Sequence, residues 1–372
     1  MGHSTPPLTG LQDGQRTIEF MLILETIQKL ESGRHLSRAE ARAVMERLLS
    51  GAVPDAEIAA FLAALRDKGE QPEEVVGLAE VMRAQAAEGL RRAGVDAEAL
   101  RSGGPLLDTC GTGGDGRGTF NVSTAVALAA AAGGIRVAKH GNRSISSRCG
   151  SADVLESLGV AIDLPHGRIP ACLEEVGMVF LFAPSLHLAM KHVMQARRSL
   201  KTKSVFNLLG PLTNPLRASV QLVGLYDATR TELMARALVA VGTERAFVVT
   251  GSDGIDEITL SGPTRLSWNE GGEVRTRDLT PEEFGLPRAP LAELQGGDAE
   301  TNARLLRKVL EGECGAHRNV VLANAAAAFV VAGKANDLKE GVARAAEVID
   351  SGQALQTLRR LVDFTQREKL SH

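Results

Sequence analysis

Asp108-Thr-Cys-Gly-Thr-Gly-Gly-Asp115, continued by Gly116-Arg-Gly-Thr-Phe-Asn121-Val-Ser-Thr124, joins the end of a strand to the first turn of a helix. Pro105-Leu-Leu-Asp108 carries the short apolar run of a buried strand, and Ser123-Thr-Ala-Val-Ala-Leu-Ala129 is a small-residue helix. Between them, Gly111, Gly113, Gly114, Gly116 and Gly118 let backbone N–H groups approach an anion closely. The helix N-terminus adds unpaired N–H groups at the positive end of a dipole. Ser123 and Thr124 bring hydroxyls to the same point, able to cap the helix or to donate to phosphate. The stretch therefore reads as a strand, a phosphate cradle and a helix, one unit of an α/β fold.

The pattern continues downstream. Short apolar runs at Leu106-Leu107, Ile135 to Ala138, Val179 to Phe182, Val220 to Leu225 and Ala246 to Thr250 alternate with Ala-rich helical segments. That alternation predicts βαβ units and a mostly parallel central sheet flanked by helices. Residues 262 to 290 read as hairpin and loop, and the last seventy residues as helices, including Asn324 to Val331 and Leu338 to Ile349. A helical interlude, Ser185 to Leu200, would put His187, Met190, Met194 and Arg197 on one face.

Upstream the period is helical. Phe20, Leu22, Ile23, Ile27 and Leu30 share one face; Ser37-Arg-Ala-Glu40 is a capping box; Pro54-Asp55 and Pro72-Glu-Glu74 open two further helices. The expected organisation is a loose tail over residues 1–18, and a small all-helical domain over 19–95 with about 184–203. A larger α/β domain covers 104–183 with 204–370.

The glycine loop has three readings. Gly111, Gly113 and Gly116 satisfy G-x-G-x-x-G, but a dinucleotide site needs an acidic residue about 20 positions later. No Asp or Glu lies between Asp115 and Asp153; that interval carries Arg117, Arg136, Lys139, Arg143 and Arg148 instead. A nucleoside-triphosphate loop fails because no Lys-Ser/Thr follows Gly116. A plain structural turn explains neither the glycine density nor the basic excess. Phosphate binding is the reading that survives.

Composition narrows the partners. A net charge of -3 offers no global attraction for nucleic acid or an anionic membrane, so any anion site is local. Cys110, Cys149, Cys172 and Cys314 form no CxxC pair, which argues against a disulfide framework or zinc site. No run of 18 apolar residues occurs and residues 1–14 lack a signal-peptide core, so a cytoplasmic location is expected.

Lys139-His-Gly-Asn-Arg-Ser-Ile-Ser-Ser147 follows the second strand, on the edge where open α/β sheets hold ligands. With it the chain resembles anthranilate phosphoribosyltransferase. The resemblance rests on Gly111-Thr-Gly-Gly-Asp115, Asn121-Val-Ser-Thr124, Lys139-His-Gly-Asn-Arg143 and Gly150-Ser-Ala-Asp-Val-Leu-Glu156. Phe206-Asn-Leu-Leu-Gly-Pro-Leu-Thr-Asn-Pro215 and Asp256-Glu257 extend it, from about Phe20 to Leu361.

The resemblance implies transfer of phosphoribose from 5-phosphoribosyl 1-pyrophosphate to the amino group of anthranilate, with Mg2+, two ions being expected, in tryptophan biosynthesis. It implies that Gly111, Gly114, Asp115, Thr119, Asn121, Val122, Ser123, Thr124, Lys139, His140, Gly141, Asn142, Arg143, Ser147 and Ser151 hold the sugar donor. Ser123, Asp256 and Glu257 would bind metal; Gly111, Asn142 and Arg197 would bind anthranilate. His140 and His187 would shape the pocket, with no acid or base assigned. A homodimer through the helical domain is implied too, and neither a nucleic-acid nor a membrane partner is expected. Three segments depart from the family's usual pattern: Leu188 replaces Pro, Gln195-Ala196 replaces Pro-Val, and Lys201-Thr-Lys-Ser204 replaces Gly-Ile-Arg-Thr. Two competing readings remain, a pyrimidine nucleoside phosphorylase and a nucleic-acid-binding relative on the same fold.

Overall fold

In the computed structural model, which describes residues 23–144, 148–270 and 272–370, the chain forms two compact units. One comprises the chain up to Leu78 with Ala189–Val205; the other comprises Ala79–Leu188 and everything from Phe206.

The first unit is helical. Residues 23–31 form a helix that buries Ile23, Ile27 and Leu30; Phe20 and Leu22, assigned by periodicity to the same face, lie outside the described residues. Ser37 caps the helix Arg38–Ser50, accepting from the Glu40 N–H while the Glu40 carboxylate accepts from the Ser37 N–H. Helices Asp55–Lys68 and Pro72–Arg92 follow, and the boundary between the two units falls inside the second of these.

Ser185 to Leu200 is not one helix, as its spacing predicts, but three pieces: Ala183–Leu186, a 3-10 turn Leu188–His192, and Met194–Leu200. His187 leaves helical geometry (φ -117°, ψ 58°), and Val193 precedes the last piece at φ -111°, ψ -8°. His187, Met190, Met194 and Arg197 therefore share no helical face.

The second unit is built on seven strands: β1 (Leu106–Gly111), β2 (Arg136–Gly141), β3 (Met178–Phe182), β4 (Val220–Gly224), β5 (Arg245–Gly251), β6 (Thr264–Glu270) and β7 (Glu273–Leu279). Their order is β3-β2-β1-β4-β5-β6-β7; β1 to β5 are parallel, and β6 and β7 form an antiparallel hairpin at one edge. From β1 the chain winds outward to β2 and β3, then returns to β4 and winds the other way. That reversal leaves a crevice at the carboxyl ends of β1 and β4. In register, Gly111 of β1 faces Gly224 of β4 there.

Helix Val122–Ala132 is buried on almost every side, as a helix apolar all round must be. It packs on β1, β2 and β3 and against helices Ala316–Val331 and Gln353–Leu370. With aromatics at only 3%, alanines let these layers approach closely. Among the described residues, no helix is long and apolar enough to cross a membrane.

Candidate active site

The crevice is shaped by glycines and by one acidic turn. β1, β2, β4 and β5 all end on glycine, at Gly111, Gly141, Gly224 and Gly251. Asp256 lies over the β1/β4 crevice: a Cβ on Gly111 would overlap its carboxylate, and one on Gly224 would overlap its carbonyl. The Gly113 N–H donates to Asp256 Oδ2 at 2.8 Å. Gly113, Gly114, Gly116 and Gly118 have φ between 63° and 75°, a region that side-chain-bearing residues rarely adopt, and so turn the loop back towards helix Val122–Ala132. The segment 294–296 straps the loop from outside, through Gly296 N–H to Gly118 O (2.8 Å) and Gln295 Nε2 to Arg117 O (3.1 Å). Thr119 bridges to Gln295.

Beneath the loop lies a buried set of charges. Lys139, 1% exposed on β2, donates from Nζ to Thr109 O (2.5 Å) and to Ser123 Oγ (3.2 Å). Burial lowers its pKa, and Asp108 is the foremost of the groups that oppose the shift. Asp108, wholly buried on β1, accepts from the His140 N–H (3.0 Å) and from Asn214 Nδ2 (2.9 Å). Burial raises its pKa to about 6, against the Asn214 hydrogen bond and the Lys139 charge. Asn214 also donates to Ala138 O at 2.9 Å, so Asp108 and Asn214 together lock β1 to β2 beside Lys139. Sequence reasoning gave neither a role, although a carboxylate in an apolar strand run is a usable signal.

Glu257, 8% exposed, completes the set. Burial pushes its carboxyl well above the usual range, Asp256 and Asp115 add to that, and Lys139 and a hydrogen bond from the Ser123 backbone oppose it. Asp115 Oδ2 is buried without a partner. Clustered carboxylates with an orphaned oxygen suit a cation, and carboxylate and hydroxyl oxygens are hard donors. Among the described residues no three His, Cys, Asp or Glu side chains close into a cage of their own. Mg2+ does not need one, because it takes one or two carboxylates and leaves the rest of its shell to water and phosphate.

The loop after β2 is held from its own side. Asn142 Oδ1 accepts from the Arg143 N–H (2.7 Å), and Ser151 Oγ donates to Asn142 O (3.4 Å). Asp153 Oδ2 accepts from the N–H groups of Ser144 and Gly150. The Arg143 guanidinium pairs with Asp153 (3.1 Å) and Glu156 and lies over Phe182, so it anchors the loop to helix Ser151–Ser157. Ser147 lies outside the described residues.

At the helix start, Val122 is buried and Thr124 Oγ1 is buried without a partner. The Asn121 side chain does not cap that helix; its Oδ1 accepts from Asn302 Nδ2 (3.0 Å) and its Nδ2 donates to Cys149 O (3.3 Å). Burial, aided by Asp108, raises the Cys110 thiol well above its ordinary value, which disfavours the thiolate that a nucleophile needs. Arg197 belongs to the helical unit, on Met194–Leu200, half-buried, with burial lowering its pKa to about 10. It stays charged at neutral pH.

His140 and His187 meet edge to face with ring centroids 5.2 Å apart, and both Nε2 atoms are buried without partners. Burial lowers His140 to about 3, with His187 adding, and lowers His187 to about 4. Both are neutral at physiological pH and weakly basic. Between about pH 6.5 and these values the unfolded chain binds protons that the folded chain does not. Their contribution to stability is therefore full above about pH 6.5 and is lost as pH falls. Asp108 acts oppositely: its folded pKa of about 6 exceeds the ordinary 3.8, so it binds its proton first in the folded state. Glu257, held well above the usual range, acts in the same sense as Asp108, so the buried carboxylates oppose the histidines. His187→Gln takes one histidine out of that balance and should shift the change in urea midpoint from pH 7 to pH 5 in the stabilising direction; an unaltered slope would contradict the account.

The chain matches the glycosyl transferase family a/b domain over residues 103–355 and that family's helical bundle domain over residues 24–86. It is 50% identical over 341 residues to the anthranilate phosphoribosyltransferase of Moorella thermoacetica, covering 91% of this chain and 97% of the relative. Identity to the enzyme of that name from Pelotomaculum thermopropionicum is 49%, covering 92% and 97%. Among solved structures, anthranilate phosphoribosyltransferase from Thermus thermophilus superposes with a TM-score of 0.82 at 44% identity, covering 92% of this chain and 99% of that one. The Saccharomyces cerevisiae enzyme in complex with PRPP and Mg gives a TM-score of 0.82 at 28% identity, covering 93% and 98%.

Proposed function

The chain belongs to the anthranilate phosphoribosyltransferase family, and on that premise we propose that it transfers the phosphoribosyl group of 5-phosphoribosyl 1-pyrophosphate to the amino group of anthranilate, releasing pyrophosphate, in tryptophan biosynthesis. The observation that carries the reading is the convergence of Ser123, Lys139 and Glu257 beneath a glycine loop, with Asp256 over the β1/β4 crevice. A leaving pyrophosphate needs fixed donors and positive charge where its own charge grows.

In this reading the loop from Gly111 to Thr119, the helix start Asn121 to Thr124, and Lys139 to Arg143 with Ser147 and Ser151 hold the donor. Lys139 supplies a buried cation whose counter-charge, Asp108, is already fixed by Asn214. Ser123, Asp256 and Glu257 hold Mg2+, which when bound neutralises the phosphates; two ions are proposed. No general base is assigned: His140 and His187, lowered by burial, shape the pocket, and an arylamine attacking an oxocarbenium-like sugar requires little help. Gly111, Asn142 and Arg197 take the acceptor, Arg197 through its carboxylate. The working form is a cytoplasmic homodimer joined through the helical unit.

Arg197→Ala should raise the KM for anthranilate about tenfold or more, the usual worth of a hydrogen bond to a charged group, and leave that for the sugar donor within about twofold. Equal effects on both would refute the assignment. The reaction class is tested by pyrophosphate release, which should require sugar donor and anthranilate together. Phosphorolysis of thymidine or uridine without that release would instead make the protein a nucleoside phosphorylase.

A further inference from the structure

Helix Ala316–Val331 buries Val320 to Phe329 in unbroken succession, and all of these are apolar except Asn324, which is fully buried. An amide in such surroundings is costly unless its hydrogen bonds are made. Asn324 makes three: Oδ1 accepts from the Ile258 N–H (2.9 Å), and Nδ2 donates to Ile258 O (3.0 Å) and Val320 O (2.9 Å). Two of the three seize both backbone polar groups of the residue immediately after Glu257. No strand runs there; residues 252–263 are turn and bend. The side chain thus does for Ile258 what a neighbouring strand would do.

Several other ties of the turn are local. Asp253 Oδ2 accepts from the hydroxyls of Thr259 and Ser261, both at 2.6 Å, and the Gly251 N–H donates to Ile255 O at 3.0 Å. Asn324 anchors the turn from 66 residues away, on a core helix. A turn held at Ile258 fixes the backbone from which the Asp256 and Glu257 side chains project.

We infer that Asn324 is a positioning residue for the Asp256-Glu257 metal pair. The inference rests on the proposed Mg2+ role of that pair. Outer residues that orient ligands typically alter metal affinity by about 10- to 100-fold when removed.

The test uses the full chain with inorganic pyrophosphate and Mn2+, free Mn2+ being counted by electron paramagnetic resonance. Asn324→Leu keeps the branched outline and removes the bonds; Asn324→Ala removes both. Each should weaken Mn2+ binding about tenfold or more. Each should also speed hydrogen exchange in residues 255–260 and leave the KM for anthranilate within about twofold. Asp256→Asn serves as control. If it leaves Mn2+ binding unchanged, the metal reading itself falls. If it weakens binding while both Asn324 variants bind Mn2+ as the parent does, Asn324 is merely structural and the inference is overturned. Failure of both variants to fold would overturn it too.

Discussion

Gly224→Ala should cost about 100-fold or more in kcat/KM, the usual consequence of moving catalytic groups by an ångström. The new Cβ would overlap the backbone carbonyl of Asp256, which cannot rotate away as a side-chain tip can. The turn carrying Asp256 and Glu257 must lift off the ends of β1 and β4, breaking the Gly113 contact to Asp256. Overpacking of this kind also destabilises by about 1–3 kcal/mol, which a urea midpoint would detect. Gly89→Ala is the control: it sits in helix Pro72–Arg92 with open space at its Cβ. That change should be neutral or stabilise by about 0.5–1 kcal/mol. Parent-like turnover in Gly224→Ala would mean that Asp256 is not where the chemistry occurs.

Lys139→Met should lower kcat by about 100- to 1,000-fold, the usual cost of removing one fixed donor from a developing negative charge. The ammonium is held between Thr109 O and Ser123 Oγ, aimed from below at the helix start where the loop would bind phosphate. Lys139→Arg should not rescue it, because a planar guanidinium cannot occupy a place built for a compact point charge. Removing the cation also strips Asp108 of its counter-charge, so that the Asp108 pKa should rise beyond about 6. A less than tenfold loss in kcat would exclude Lys139 from the phosphate site.

Much of this was legible in the chain. Parallel strands buried on both faces read as apolar runs, so all five were found, and the glycine loop declared itself because backbone approach to an anion needs glycine. The capping box at Ser37 and Glu40 formed as its spacing requires. The β1/β4 crevice was not legible, because runs reveal strands but not their order. Nor were the asparagines that brace the site. Asn214, Asn302 and Asn324 reach partners 106, 181 and 66 residues away, and a lone amide leaves no periodic trace. The break at His187 was hidden because its spacing still suited a helix. Arg143, counted with the phosphate contacts, is engaged by Asp153 and Glu156, both on the helix that follows its loop.

The most direct test of the account follows the fluorescence of anthranilate with the purified protein, with and without 5-phosphoribosyl 1-pyrophosphate and Mg2+. The predicted result is loss of anthranilate that requires both additions and is matched mole for mole by pyrophosphate. Unchanged fluorescence with both present, from protein that is folded by circular dichroism, would contradict the account.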